Sequence, residues 1–231
     1  MNLPQAKYYI LTGNYGSGKT ELSIALALHC QRQTAGRVAL VDLDIVNPYF
    51  RSAEQQALLE AEGVEVYMPS FAMSTVDIPA LPANIQAVFD QDYAHVIIDL
   101  GGDDTGAAAL GRYYPALAPL RDQTLVFYVI NPFRPLSGSV EDIASLFSLI
   151  ESRARIRPDY LVNNANLQEQ TTAQALVDAQ AMLTEASALL QVPIGMVSGE
   201  DRLLSELPPE MQAIFFPLRP VMMPEWLVDE A

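Results

Sequence analysis

Short apolar runs recur along the chain, and helix-length segments separate most of them. The runs are apolar at almost every position, which is typical of strands that are covered on both faces. Because strands and helices alternate, we predict right-handed βαβ units and an α/β fold: a doubly wound, mostly parallel β-sheet with helices on both faces. The predicted strands comprise residues 8–12, 37–43, 65–70, 95–100, 124–130, 159–163 and 192–197. The predicted helices comprise residues 19–34, 52–61, 82–90, 106–118, 137–153 and 172–190.

The length and composition of the chain favour one compact unit. Its 231 residues are 50% hydrophobic and 18% charged, a composition that suits a chain with a substantial buried core. We expect a single domain over residues 1–231. Five of the sixteen prolines fall in a C-terminal extension, about residues 207–231, for which we predict a short helix and an irregular tail.

The charge of the chain restricts its partners. The formal net charge is -15 at pH 7, and Lys7 and Lys19 are the only lysines. Such a chain repels nucleic-acid backbones and anionic lipid surfaces, so we expect no nucleic-acid partner. The single cysteine, Cys30, cannot form an intrachain disulfide, and no signal peptide or long apolar run is visible. These features favour a cytoplasmic protein without membrane insertion.

A glycine-rich stretch, GNYGSGKT, follows the first predicted strand and precedes the first predicted helix. It has the pattern G-x-x-x-x-G-K-T, in which small residues let backbone N–H groups converge on phosphate oxygens at a helix N-terminus. The lysine can reach the β- and γ-phosphates, and the threonine hydroxyl can bind Mg²⁺. A glycine turn with an exposed lysine is the alternative. The predicted nucleotide-binding residues comprise Gly13, Asn14, Tyr15, Gly16, Ser17, Gly18, Lys19, Thr20 and Glu21.

Two further predicted strands end in aspartates that would face this loop. Asp44 follows the second strand in VDLDIVNPYFRS, and Asp99 ends the strand VIIDL, an arrangement that places a carboxylate near Mg²⁺. Asp99 also begins a D-x-x-G pattern in which the amide of Gly102 can sense a γ-phosphate. Asp44 could instead cap a helix, and capping is the favoured interpretation of Asp103 and Asp104.

These three segments together resemble the MinD/ParA/CobQ-type ATPases, which belong to the SIMIBI class of P-loop NTPases. The resemblance extends over roughly residues 7–200, with the motifs in the order of the family. It implies that Lys19 and Asp44 act in ATP hydrolysis and that Thr20, Asp44 and Asp99 hold Mg²⁺. It also implies that the loops 43–52 and 100–108 respond to the nucleotide.

The chain departs from this family at one position of the glycine-rich loop. Many members have a signature lysine directly after the first glycine, where it reaches the nucleotide of a partner subunit. This chain has Asn14 there, which is neutral and short. The resemblance is compatible with a homodimer. Because Asn14 cannot neutralise the phosphate charge of a partner's nucleotide, dimerisation as the trigger of hydrolysis is less well supported. Arg51 has two interpretations: a cation that substitutes for the signature lysine, or an exposed structural arginine.

The loop after a late strand, NNAN, is the predicted site of base recognition. GTP-specific relatives have an aspartate at its fourth position, where this chain has Asn166. The amides of Asn163 and Asn164 can each offer a donor and an acceptor to adenine, although paired asparagines are also common in loops. The sequence therefore favours ATP over GTP.

Three functions are compatible with these motifs. The first is a slow Mg²⁺-dependent ATPase that acts as a nucleotide-dependent switch on an unidentified protein partner. The second is a small-molecule kinase or ATP-dependent ligase resembling dethiobiotin synthetase or CobQ, for which Arg112 and Arg121 are the candidate substrate-binding cations. The third is a nucleotide-dependent scaffold without turnover. His29 and His95 have no metal-ligand spacing, and the segment MQAIFFPLRP is either packing or a partner-docking surface.

Overall fold

The computed structural model describes residues 4–44, 56–67, 83–102 and 104–219. Within these residues, eight parallel strands form one sheet in the order β3-β2-β4-β1-β5-β6-β7-β8. The strands are β1 (Tyr8–Gly13), β2 (Val38–Leu43), β3 (Val64–Tyr67), β4 (His95–Leu100), β5 (Thr124–Ile130), β6 (Tyr160–Asn163), β7 (Ile194–Glu200) and β8 (Phe215–Leu218). On one side of β1 the chain passes outward through β2 and β3 and returns with β4 between β2 and β1, and on the other side it passes outward through β5 to β8. The direction of winding therefore changes at β1, where α/β sheets bind their ligands.

Seven α-helices connect or flank the described strands. They are α1 (Lys19–Gln33), α2 (Gln56–Ala61), α3 (Ala83–Val88), α4 (Asp104–Leu117), α5 (Val140–Ala154), α6 (Ala173–Leu190) and α7 (Pro209–Ala213). Short 3₁₀ helices at Ala118–Gln123 and Asp201–Glu206 lead into β5 and follow β7.

Both faces of the sheet are covered, which confirms the predicted doubly wound α/β fold. Alternate residues of the central strands, such as Tyr8 and Tyr9, enter opposite cores. The core on one face is completed by apolar side chains of α3, α4, α5 and α6, and the core on the other face by side chains of α1 and α2. A third cluster joins β7 and β8 to α6 and α7.

Helix α5 begins three residues later than the predicted start at residue 137. Ser139 is its N-cap, because its hydroxyl accepts a hydrogen bond from the amide of Asp142 at 3.1 Å. Residues 131–139 therefore form a loop at the carboxyl end of β5. Thr172 caps α6 in the same way through the amide of Ala175, in agreement with the predicted boundary.

The segment after residue 207 differs from the prediction in one element. The expected short helix is present as α7, but Phe215–Leu218 forms the strand β8 rather than an irregular tail. Pro217 lies in this strand and is exposed. A proline cannot donate a hydrogen bond to a neighbouring strand, so it is tolerated in β8, the last strand in the sheet order. Residues 220–231 lie outside the described residues.

Candidate functional site

The glycine-rich loop lies at the carboxyl end of β1, in the centre of the sheet. Gly13, Gly16 and Gly18 all have positive φ angles, of 145°, 70° and 85°. Side chains are strained in such conformations, which explains the three glycines. Gly18 is the N-cap of α1, so the loop leads directly into a helix N-terminus. This geometry is suited to binding an anion.

The lysine of the loop is buried and folded back onto it. Lys19 is only 7% exposed, and its Nζ donates a hydrogen bond to the carbonyl of Asn14 at 2.8 Å. A solvent-exposed lysine on a glycine turn is therefore excluded. The hydroxyl of Ser17 is fully buried and has no hydrogen-bond partner among the described residues. Tyr15, by contrast, is 61% exposed at the tip of the loop.

The loop after β5 is attached to the glycine-rich loop. The side-chain amide of Asn14 donates hydrogen bonds to the carbonyl of Pro135 and to the hydroxyl of Ser137. Its oxygen accepts from the amide of Tyr15 at 2.7 Å. Arg134 adds a hydrogen bond from Nε to the carbonyl of Gly16 at 3.1 Å. Asn14 therefore holds two loops together rather than extending outward from the site.

Asp99 lies at the end of β4, beside the glycine-rich loop, and is 1% exposed. Burial raises its pKa to about 6, and the neighbouring carboxylate of Asp44 contributes to this rise. The charge of Lys19 and a hydrogen bond with the Thr20 side chain lower the pKa of Asp99. The structure thus brings the predicted residues Lys19, Thr20, Asp44 and Asp99 together.

These residues are compatible with a magnesium ion. Oδ1 of Asp99 is buried without a hydrogen-bond partner among the described residues. Proteins hold Mg²⁺ through one or two carboxylates, together with waters and substrate phosphates, so a larger cluster of acidic residues is not required. No group of three His, Cys, Asp or Glu residues arranged for a metal occurs in the described part of the chain.

The strand β2 supplies the second aspartate. Asp42 is opposite Asp99 in the register of β2 and β4, and its Oδ1 accepts a hydrogen bond from the amide of Asp44 at 2.8 Å. Asp42 therefore fixes the backbone of Asp44 at the carboxyl end of β2. Residues 45–55 lie outside the described residues, and with them Arg51 and most of the predicted switch loop 43–52.

Gly102 contacts the glycine-rich loop directly. A Cβ atom on Gly102 would lie 2.5 Å from Cα and 2.6 Å from the amide nitrogen of Tyr15. Only a glycine allows the two backbones to approach so closely. The loop after β4 therefore packs against the glycine-rich loop. Asp103 lies outside the described residues, and Asp104 is the first residue of α4.

Asn163 and Asn164 are buried, and the protein itself uses their amides. Asn163 donates to the carbonyl of Leu176 and to Oε1 of Gln180, and its own oxygen accepts from the amide of Ala165. Recognition of a base by Asn163 would break these hydrogen bonds.

Asn164 donates to the carbonyl of Ser17 at 2.6 Å and accepts from the hydroxyl of Ser198 at 2.7 Å. It supports the glycine-rich loop from β6, and Ser198 anchors it to β7. Its Nδ2 would lie only 2.3 Å from a Cβ on Gly18, which is a second reason for a glycine there. Contact with a base would separate Asn164 from both partners.

Other residues singled out in the sequence lie away from this site. Arg121 precedes β5, at the opposite end of the sheet, where it pairs with Asp159 at 2.5 Å. Nδ1 of His95 donates a hydrogen bond to the carbonyl of Ala6, and His29 packs edge-on against Phe216.

Of the two interpretations of the segment MQAIFFPLRP, packing or partner docking, its burial fits packing. Phe215, Phe216 and Leu218 are all at least 95% buried. Their side chains belong to the cores described above. Packing is therefore the correct interpretation of this segment.

Sequence reasoning missed three residues of the site: Asn131, Arg134 and Ser198. Asn131 bonds to both backbone groups of Asn166 and so connects the loops after β5 and β6. None of the three stands in a recognisable motif. The proline-rich segment NPFRPLSG, directly after a predicted strand, was the available signal for a loop at this edge of the sheet.

No protein-family model and no curated protein matches the chain. Solved structures match it at low sequence identity. The structure of FlhF complexed with GTP/Mg²⁺ has a TM-score of 0.54 and 15% identity, with 88% of this chain and 69% of FlhF covered. FtsY from Thermotoga maritima has a TM-score of 0.55 and 19% identity, with 95% and 68% covered.

FtsY from Mycoplasma mycoides has a TM-score of 0.53 and 18% identity, with 86% of this chain covered. The chain spans 62% of the length of that protein. In the described residues, no helix has the length and apolar character needed to cross a membrane. Identities below one fifth establish likeness of fold alone, and what the chain shares with FlhF and FtsY is therefore its α/β fold.

Proposed function

We propose that the chain binds a purine nucleoside triphosphate with Mg²⁺, hydrolyses it slowly and acts as a nucleotide-dependent switch. The observation that carries this proposal is the conformation of residues 13–20: three glycines with positive φ lead into a helix N-terminus, and a buried lysine lies against the loop. An open loop of backbone amides with a fixed cation is suited to a polyphosphate chain.

The residues around the loop suggest a division of roles. Lys19 would neutralise charge on the β- and γ-phosphates, and Asp44 would orient the attacking water. Thr20, Asp99 and Asp44 would hold Mg²⁺, which when bound neutralises phosphate charge. Gly102 would offer its amide to the γ-phosphate and transmit its presence to α4. These assignments follow the resemblance to MinD/ParA/CobQ-type ATPases and the proximity of the four polar side chains.

ATP is the proposed nucleotide, because Asn166 lacks the carboxylate with which GTP-specific relatives recognise guanine. GTP is the alternative, and it is favoured by the fold shared with FlhF, whose structure contains GTP/Mg²⁺. The buried amides of Asn163 and Asn164 do not discriminate between the two, since both are bonded within the protein.

A protein partner is better supported than a small-molecule substrate. Tyr15, Phe133 and Leu136 are 61%, 44% and 67% exposed on the two attached loops, beside the proposed nucleotide. Apolar side chains that together form one exposed patch mark sites of protein contact, and we propose that these three side chains form such a patch. A kinase or ligase would need a cation for its anionic substrate, and Arg121 lies at the opposite end of the sheet. The side chain of Arg112 lies outside the described residues.

Replacement of Lys19 tests the binding proposal, and the chain contains a matched control. Lys19→Ala removes a charge-assisted contact worth about 1.5–3 kcal/mol, so we expect affinity for the nucleotide to fall about 10- to 100-fold. Lys7, the only other lysine, lies at the amino end of β1, and Lys7→Ala should bind normally. Calorimetry with non-hydrolysable ATP and GTP analogues and Mg²⁺ measures both affinities. Equal binding by wild type and Lys19→Ala would refute the assignment.

Turnover assays separate the three functions. Slow phosphate release without any metabolite, accelerated by a protein, supports the switch. Phosphate or nucleoside diphosphate release that strictly requires a small molecule supports the kinase or ligase. Binding without any release supports the scaffold.

A further inference from the structure

We propose that Arg134 contacts the β- and γ-phosphates of the bound nucleotide and supplies, from the same chain, the second cation that Asn14 does not provide. This inference rests on the proposed function, because it assigns a new residue to the same site. No motif in the sequence marks Arg134, which lies more than a hundred residues from the glycine-rich loop.

Arg134 is held against the phosphate-binding loop by its own hydrogen bond and by those of its neighbours. Its Nε donates to the carbonyl of Gly16 at 3.1 Å. On the C-terminal side of Arg134, the carbonyl of Pro135 and the hydroxyl of Ser137 both accept hydrogen bonds from Asn14. Within its own loop, the amide of Arg134 donates to the carbonyl of Asn131 at 3.1 Å. Several contacts thus position the backbone around Arg134, and the hydrogen bond from Nε positions its guanidinium.

The glycine at position 16 lets the arginine lie along the loop. A Cβ on Gly16 would lie 3.3 Å from Nε and 3.4 Å from Cδ of Arg134. A side chain there would require the arginine to shift by a few tenths of an ångström. Gly16 therefore serves two needs, a φ of 70° and close contact with Arg134.

The donor geometry of Arg134 leaves two groups for a ligand. Only Nε is engaged within the described residues, so both terminal NH₂ groups remain for other acceptors. Arg134 is exposed at the edge of the phosphate-binding loop. A planar guanidinium with two such groups suits the oxygens of a phosphate, which it can bind in a bidentate manner.

The charge balance of the site favours a second cation. A nucleoside triphosphate carries several negative charges, and the chain itself has a net charge of -15. Lys19 is the lysine of the loop, and Asn14 is neutral. Arg134 is a cation that lies against the loop from outside, so its charge would offset the phosphate charge that Lys19 and Mg²⁺ leave unneutralised.

Variants of Arg134 test this inference by the number of phosphates on the ligand. We expect Arg134→Gln to lose about tenfold in affinity for a non-hydrolysable ATP analogue and for ADP, the effect of one charge-assisted contact, and to retain its affinity for AMP. Arg134→Lys keeps the charge but lacks the Nε donor, and it should recover part of this loss. Arg32→Ala is the control, because Arg32 is exposed in the last turn of α1 and pairs with Glu62. The guanosine counterparts are measured in parallel.

The outcomes distinguish this inference from the proposed function. If the wild-type protein binds none of the nucleotides, the proposed function fails and this inference with it. If the wild type binds and Arg134→Gln binds the ATP analogue equally well, only this inference fails. The same holds if Arg134→Gln loses affinity for AMP by the same factor, since the arginine would then support the loop rather than contact the outer phosphates.

Discussion

Asn164 shows at the scale of one residue how the same side chain can suggest base recognition in the sequence and have a structural role in the fold. Its amide bridges the carbonyl of Ser17 and the hydroxyl of Ser198, both buried. If the amide of Asn164 turned towards a base, the buried groups of Ser17 and Ser198 would lose their partner. Leaving buried polar groups unsatisfied costs more free energy than the hydrogen bonds contribute.

Replacement of this residue separates the two roles. We expect Asn164→Ala to lower the free energy of unfolding by about 1–3 kcal/mol, because Ser17 and Ser198 each lose a buried partner. Affinity for ATP and GTP analogues should fall by the same factor, since the phosphate-binding loop loses its support. Urea unfolding and calorimetry measure these quantities. A changed preference between the two bases at unchanged stability would instead support direct base recognition.

At the scale of the elements, most helices and strands follow from local patterns. The periodicity and flanking residues predicted β1, β4, β5, α1 and α6 to within one or two residues. The strand β8 was missed, because its sequence FFPL contains a proline and follows a proline-rich segment. Its apolar residues form a strand because β7 offers a free edge and the clusters around α1 and α6 offer buried space.

The packing of β8 predicts a large effect of a core substitution so near the C-terminus. Phe216 is 2% exposed and contacts His29 of α1, with ring centroids 5.3 Å apart. Phe216→Ala should lower the free energy of unfolding by about 3–5 kcal/mol. Leu189→Ala is the control, because Leu189 is 61% exposed on α6 and should change stability by less than about 0.5 kcal/mol. Similar urea midpoints for the two variants would contradict the role of β8 in the core.

At the scale of the whole molecule, the candidate site is assembled from loops that are distant in sequence. The loops after β1, β4 and β5 and the end of β6 meet because these four strands are neighbours in a parallel sheet. Gly102 illustrates the tightness of this assembly, since its backbone lies against that of Tyr15. A shift in the backbone of one loop must therefore displace the backbone of another.

A single methyl group tests this coupling. Gly102→Ala places a Cβ 2.5 Å from Cα of Tyr15, so one of the two loops must move. We expect a loss of about 1–3 kcal/mol in stability, typical of overpacking, together with weaker binding of the triphosphate analogue. Gly138→Ala is the matched control, because its Cβ would meet only the carbonyl of Pro132, at 3.8 Å. Unchanged nucleotide affinity in Gly102→Ala would show that the two loops are independent.

The sequence by itself determined the local elements, the parallel α/β class and the position of the glycine-rich loop between β1 and α1. These properties depend on residues that are close in the chain: periodic apolar positions, glycines at required φ angles, and a lysine at a helix start. The sequence also placed Asp44 and Asp99 at strand ends, which in a parallel sheet share one edge.

Only the tertiary structure decided the strand order, the strand β8 and the partners of the loop. Arg134 and Gly16 are 118 residues apart, and Asn164 and Ser17 are 147 residues apart. Such contacts depend on which strands are neighbours, and strand order is set by the packing of the whole chain rather than by any local pattern. For the same reason, the structural use of Asn163 and Asn164 became visible only once β6 was placed beside β5 and β7.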